Sequence, residues 1–238
     1  MTTVRTRWFG PTAARTVVAV LPGLGLPSYV RPLADDLARR GVACVVLDLP
    51  GFGSTAGLVC APDVLAMGET AADWVDGFDP ARRVIVLGHS TGAQAALATV
   101  LRVQGTRPDS ALVLCGPTFH PSHRRLLGLA VATSTAYRRD SPQEVVVVPD
   151  LVRGNIGVAR IIRSGMRDRP EVRITGLELP VLLTAGRADS YAPASWLETL
   201  AARATRSPQV STAVLDGSHN NLYTHGEALA GTVLDTVG

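Results

Sequence analysis

The sequence predicts one α/β domain built on a mostly parallel sheet with helices on both faces. Three observations predict it: short runs that are apolar at nearly every position, helical periodicity between them, and glycine- or proline-rich turns where the runs end. A half-exposed strand would alternate apolar with polar residues. T-V-V-A-V-L (16–21) and R-V-I-V-L-G (83–88) do not, so both of their faces are expected to be covered. The length, 238 residues, suits one sizeable core.

Taken in order, strands are expected at 16–21, 42–47, 83–88, 111–115, 181–185 and 210–215. Between the first two, Ser28 is a candidate N-cap for a helix carrying Val30, Leu33 and Leu37 inward, with Pro32 in its first turn and Gly41 at its end. Further helices are expected at 62–76, 91–104, 193–204 and 225–236. The strand–helix rhythm breaks between Thr118 and Glu178, where V-V-V-V (145–148) is the one candidate strand. The best helix there runs from Asp150 to Met166 and contains three glycines, which weaken the pattern. Residues 118–178 are therefore expected to form a helical cap inserted after the strand that ends near Cys115.

Composition excludes several classes. All 23 basic residues are arginine, so mechanisms that need a lysine amine are removed. A net charge of only +3 and 5% aromatic residues give no sign of a nucleic-acid partner, although the arginines are concentrated in residues 118–178. Cys44 and Cys115 lie in apolar runs, and neither they nor Cys60 belong to a metal-ligand spacing. No metal or cofactor is expected. The first residues, M-T-T-V-R-T-R-W-F-G, contain no apolar h-region, and no run approaches a membrane span of about 18 residues. A soluble, cytoplasmic protein without a membrane partner is expected.

The segment I-V-L-G-H-S-T-G-A-Q-A-A (85–96) carries the chemistry. A serine bracketed by glycines, with a buried strand before it and a helix after it, is held clear of the sheet on a tight turn. The amide of the next residue, Thr91, opens the helix and points to the same space, a donor for a developing oxyanion. A serine needs a base. His219, in D-G-S-H-N-N-L after the last strand, can return to Ser90, and Asp189, in A-G-R-A-D-S-Y-A-P after the preceding strand, can orient its imidazole. Asp189 has a competing partner in Arg187, and Asp216 is the carboxylate nearer to His219 along the chain.

L-P-G-L-G, D-L-P-G-F-G-S, G-H-S-T-G, G-R-A-D-S-Y-A-P and G-S-H-N-N together resemble the α/β-hydrolase superfamily over essentially the whole chain. The resemblance implies a Ser90–Asp189–His219 triad, an oxyanion hole from the Leu24 and Thr91 amides, and a substrate pocket shaped by residues 118–178. Where members often carry His-Gly, this chain has Pro22-Gly23, and there is room for only one strand, residues 4–9, before the run at 16–21. A trimmed sheet edge follows.

The other candidates have simpler roles. His89 is expected to pack beneath the serine turn, His225 to sit in the first turn of the last helix, Asp48 to brace its loop, and His120 and His123 to begin the insertion. Arg153, Arg160, Arg163 and Arg167 share one side of the insertion helix, a solvated face or a means of recognising an anionic or carrier-bound acyl group. The expected activity is hydrolysis of a carboxylic ester, thioester or lactone through an acyl-enzyme on Ser90. A lyase or cyclase using the same triad, and a non-hydrolytic small-molecule binding protein, are the alternatives; the oligomeric state is left open.

Overall fold

In the computed structural model, residues 4–52, 57–139 and 148–238 are described, with backbone alone for residues 126, 136–139 and 148–155. The strands are β1 (Arg5–Phe9), β2 (Thr16–Leu21), β3 (Ala43–Asp48), β4 (Arg83–His89), β5 (Ala111–Cys115), β6 (Val181–Gly186) and β7 (Val210–Leu215). The helices are α1 (Arg31–Arg39), α2 (Val64–Asp76), α3 (Thr91–Val103), α4 (Leu126–Arg139), α5 (Val148–Arg167), α6 (Pro170–Arg173), α7 (Ala194–Arg203), α8 (Asn221–Thr224) and α9 (Gly226–Val237).

The seven strands form one sheet in the order β1-β3-β2-β4-β5-β6-β7. β1 runs antiparallel to β3, and every other pairing is parallel. This is the mostly parallel α/β sheet the apolar runs predict. The pleat sends alternate residues of each strand to opposite faces. Val17, Ala19 and Leu21 of β2 pack with the inner sides of α2, α3 and α7, whereas Val18 and Val20 pack with α1 and α9. Two apolar layers thus cover one sheet, which is why β2 to β6 are apolar throughout. β7, at the edge, alternates exposed and half-buried positions.

The register aligns the strand ends that matter. Leu21 lies opposite Gly88, His89 opposite Cys115, Cys115 opposite Thr184, and Gly186 opposite Leu215. The loops after β2, β4, β5, β6 and β7 consequently emerge side by side.

Two local expectations change. Ser28 does not cap α1: it lies in a 3₁₀ turn, Pro27–Val30, that runs directly into the helix. Val30, the residue before α1, already has helical angles (φ −78°, ψ −16°), so no extended N-cap residue exists there. In the V-V-V-V run, residues 145–147 lie outside the described residues and Val148 opens α5.

The insertion helix runs from Val148 to Arg167, longer than expected at both ends. Two of its glycines are sites of close approach rather than breaks. A Cβ on Gly157 would lie 2.5 Å from the Phe52 ring, and one on Gly165 2.9 Å from Phe119 and 2.8 Å from Gln94 Oε1. Ile161, between them, is fully buried in the core. The Gln94 amide donates to Gly165 O (2.9 Å) and to Asp168 Oδ2 (3.0 Å), tying α3 to the end of α5. α4 is fastened to the loop after β6 by Ser190 Oγ–H donating to Ala132 O at 3.0 Å and Tyr191 Oη–H to Thr133 Oγ1 at 3.0 Å.

Leu112 of β5 lies between Val86 and Val181 of the flanking strands and is fully buried. Leu112→Ala is expected to cost about 2–5 kcal/mol because flanking strands cannot collapse into the space. Urea unfolding would measure the loss, and a cost under about 1 kcal/mol would show that the sheet centre relaxes freely.

Candidate active site

Ser90 joins β4 to α3 with φ 57° and ψ −124°, a conformation a side-chain-bearing residue adopts only under constraint. The constraint is close packing on both sides of the turn. A Cβ on Gly88 would lie 2.3 Å from Gly92 O, and one on Gly92 2.1 Å from Leu21 O. Only glycine permits the chain to reverse here. The Ser90 amide donates to Cys115 O (3.0 Å), and Ser90 O accepts from Ala93 (3.0 Å) as the helix begins.

The three long-separated candidates meet at this turn. Ser90 Oγ is 3.0 Å from His219 Nε2, and His219 Nδ1 is 2.9 Å from Asp189 Oδ2. The other carboxylate oxygen of Asp189 accepts from the amides of Tyr191 (2.8 Å) and Ala192 (2.9 Å). Burial pushes the Asp189 carboxyl up, but the facing His219 and three hydrogen bonds outweigh it and hold the group below the usual carboxylate range. The anionic form fixes the tautomer: Nδ1–H donates to Asp189, which leaves Nε2 as acceptor for the Ser90 hydroxyl. Asp216 instead pairs with Arg187 at the surface, 3.5 Å away, which removes the competitor for each side of the Asp189–His219 contact.

Leu24 and Ser90 are the two non-glycine residues with positive φ among the described residues, at 53° and 57°. Both strained positions therefore flank the proposed oxyanion site. The Leu24 amide is not open, however. It donates to Thr91 Oγ1 at 2.8 Å, so the Thr91 hydroxyl occupies a direction expected for substrate oxygen. The Thr91 amide stands in the first turn of α3, where the helix itself offers no carbonyl.

A second hydrogen-bonded chain runs beneath the first, and the residue spacing gave no sign of it. The Gly23 amide donates to Tyr29 Oη (2.6 Å), which donates to His89 Nδ1 (2.7 Å). His89 Nε2–H donates in turn to His219 O at 2.8 Å. The reverse tautomer would set a nitrogen lone pair against that carbonyl, so the sequence of donors is fixed. Two buried side chains thereby pin the loop after β2, the serine turn and the loop after β7 to one another. His89 was expected beneath the turn; its bonds to both neighbouring loops, and the part of Tyr29, were not. Burial, reinforced by the neighbouring His219, lowers His89 from 6.5 to about 3.

The remaining candidates are not members of the Ser90 relay, but His123 lies within electrostatic reach of Asp189 and bonds the Tyr191 backbone. Asp48 receives Arg5 Nε (3.3 Å), while Arg5 Nη2 donates to Gly51 O (2.6 Å), so the pair braces the loop after β3. His225 is the residue before α9 and bonds Thr224 Oγ1 at 2.8 Å. His120 and His123 stand in and beside a short 3₁₀ turn at the start of the insertion, their rings 5.4 Å apart. Arg153 falls outside the residues whose side chains are described. Arg160, Arg163 and Arg167 line a groove against residues 61–65 that includes none of Ser90, Leu24, Asp189 or His219. Among the described residues no group of acidic, histidine and cysteine side chains is arranged to hold a metal ion.

Residues 12–141 match the family model described as Hydrolase_4, serine aminopeptidase S33. The chain belongs to this family. It is thus a member of the α/β-hydrolase superfamily, and the matched segment includes Leu24, Ser90 and Thr91 but ends before Asp189 and His219. No curated protein matches the sequence significantly. Among solved structures, the Hydrolase_4 chain is similar to an esterase from Exiguobacterium antarcticum, with TM-score 0.75 and 14% identity, covering 98% of this chain and 95% of that one. It is also similar to an enol-lactonase from Burkholderia xenovorans LB400 (TM-score 0.72, 18% identity, coverage 98% and 96%). A type II thioesterase from the yersiniabactin pathway gives TM-score 0.70 at 18% identity, with coverage of 98% and 97%. These likenesses establish the fold. No described helix is long and apolar enough to cross a membrane.

His89 makes stability depend on pH. Its folded value lies near 3 and its unfolded value near 6.5, so between them the unfolded chain binds one more proton. The stabilisation is complete above pH 6.5 and is lost as pH falls, by about 1.4 kcal/mol per unit. Urea midpoints at pH 7, 6 and 5 should fall accordingly for the native chain, and more gently for His89→Gln. Equal slopes for the two would mean that His89 takes up its proton while folded.

Proposed function

We propose that this protein is a serine hydrolase that cleaves a carboxylic ester, thioester or lactone by two-step acyl transfer at Ser90. The observation that carries the reading is the continuous relay Ser90 Oγ–His219–Asp189, with contacts of 3.0 and 2.9 Å and its carboxylate buried.

Ser90 Oγ attacks the carbonyl carbon as its proton passes to His219 Nε2. Asp189 steadies the imidazolium. The carbonyl π electrons move to oxygen, and the tetrahedral oxyanion is received by the amides of Thr91 and Leu24. For Leu24 this is an exchange: its N–H leaves Thr91 Oγ1 for the substrate oxygen, so the donor is satisfied before and during the reaction. Collapse expels the alcohol or thiol with the proton from His219, leaving Ser90 acylated. Water, deprotonated by the same Nε2, attacks the acyl carbon; collapse releases the acid and restores the serine hydroxyl. A neutral His89 suits this cycle, because a second fixed cation near the His219 ring, 5.0 Å away, would oppose formation of the imidazolium.

The esterase, enol-lactonase and thioesterase folds similar to this one support the three linkages as a set without ranking them. Epoxide or haloalkane cleavage by a carboxylate nucleophile would need Asp at position 90, and the absence of lysine removes amine-dependent lyase chemistry.

Ser90→Ala is expected to lower kcat about 10⁴–10⁶-fold on an activated ester while circular dichroism stays native. A fluorophosphonate probe should label the native chain at Ser90 and fail to label His219→Ala. Folded native protein that resists the probe would point to a binding protein, and wild-type turnover by Ser90→Ala would remove Ser90 from the reaction.

A further inference from the structure

The arginines that leave the Ser90 site form one of their own. We propose that the groove between the last turns of α5 and the start of α2 binds a small molecule carrying two or more phosphate groups on an apolar or planar body.

Charge is the first ground. Arg160, Arg163, Arg167, Arg169 and Arg173 line the groove, against the two carboxylates Asp63 and Asp168. Both acids are already engaged. Asp168 takes Arg173 in a two-pronged pair (2.8 and 2.6 Å), and Asp63 Oδ1 accepts the amides of Leu65 (2.9 Å) and Ala66 (3.3 Å) as the cap of α2. Arg160, Arg163 and Arg167 have no carboxylate partner among the described residues, whereas Arg169 donates to Met166 O (3.4 Å) and Asp168 O (3.5 Å) and helps hold the Glu171 carboxyl low. Elsewhere on the surface arginine is commonly paired, as in Arg31–Asp35, Arg39–Asp36, Arg102–Asp73 and Arg206–Glu178. Three unpaired guanidinium groups in one concavity repel each other and draw in anions.

Geometry narrows the anion. Arg160, Arg163 and Arg167 recur at helical spacing on one face of α5, spread along about 10 Å of helix axis. Three long guanidinium side chains rising from one face can converge on the many anionic oxygens of a diphosphate, which offers more acceptors than one compact carboxylate. The groove measures 640 Å³, within the range of roughly 300–1,000 Å³ of small-molecule sites. Its lining also includes Leu65 and Val172, which are 47% and 60% exposed, large apolar surfaces left open beside the charges. They offer a seat for a planar or apolar body. The walls are fixed in advance, since Val64 N–H donates to Ser164 Oγ across the groove at 3.0 Å. A nucleoside diphosphate has both parts.

Isothermal titration of the full chain tests this, using ADP, inorganic pyrophosphate, adenosine and citrate at 50 and 300 mM NaCl. ADP is expected to saturate with Kd below about 1 mM at the lower salt, and to weaken at least about fivefold at the higher one. Pyrophosphate should bind more weakly than ADP, and adenosine more weakly still. Arg163→Ala/Arg167→Ala should weaken ADP binding by about tenfold or more, while kcat/KM on a neutral ester stays within about twofold. Both side chains are exposed and unpaired, so the fold should persist, and circular dichroism would verify it. Titrating Ser90→Ala with ADP separates this site from the hydrolytic one, because its binding should be unchanged whether or not Ser90 is the nucleophile. An acyl-CoA thioester compared with a phosphate-free thioester identifies the source of the phosphates. A rate advantage lost in the double variant places them on the substrate, and equal rates with ADP binding intact make them a separate ligand. No saturation by ADP up to about 10 mM, equal binding by the double variant, or citrate binding as tightly as pyrophosphate would each overturn the proposal.

Discussion

Parallel pairing is the constraint from which the arrangement follows. When adjacent strands run the same way, the loops leaving their carboxyl ends must share one edge of the sheet. Here that edge carries Leu24 after β2, Ser90 after β4, Asp189 after β6 and His219 after β7. Their separation along the chain, 129 residues between Ser90 and His219, is cancelled by hydrogen bonding between strands. The single antiparallel strand, β1, lies at the far edge from β7 and contributes no loop to this group.

Register alone brings loops together only to within a strand spacing; side chains then fix their separation. Two layers do so. The upper one is the hydrogen-bonded Ser90–His219–Asp189 relay. The lower one, Gly23–Tyr29–His89–His219 O, has each proton confined to one place, because burial raises the Tyr29 hydroxyl and lowers the His89 imidazole far from their usual ranges. The relay thus lies on a second network whose donors and acceptors are fixed. The steadiness of the second is what allows hydrogen-bond distances in the first to be kept without covalent links, and no disulfide is involved: Cys44, Cys60 and Cys115 are all free thiols.

What the sequence disclosed depended on whether a feature is local. The strands were legible because two-sided burial makes them largely apolar, and the elbow because its glycines bracket the serine within five residues of sequence. The candidate residues Ser90, Asp189 and His219 could be named because each follows a strand with a recognisable run. The tie from Tyr29 to His89 was not legible, since it joins residues 60 apart whose types are unremarkable where they stand. α4 was missed because L-L-G-L-A-V-A-T-S-T-A has no sharp apolar stripe. The direction of Arg160, Arg163 and Arg167 was missed for another reason: periodicity states which residues share a face, and only packing states what the face meets. The Leu24 amide was placed in the right loop, while its bond to a neighbouring hydroxyl depends on a rotamer that no pattern encodes.

The glycines of α5 have a structural meaning beyond tolerance. At positions 157 and 165 the helix rests on Phe52 and Phe119 with only hydrogen between backbone and ring, and Phe52 follows β3 while Phe119 follows β5. Headroom between the insertion and the body of the molecule is therefore set by two absent methyl groups. Any side chain at either place forces the facing ring or the helix to shift. One substitution, remote from every proton-carrying atom, is enough to change the clearance while leaving the relay beneath it untouched.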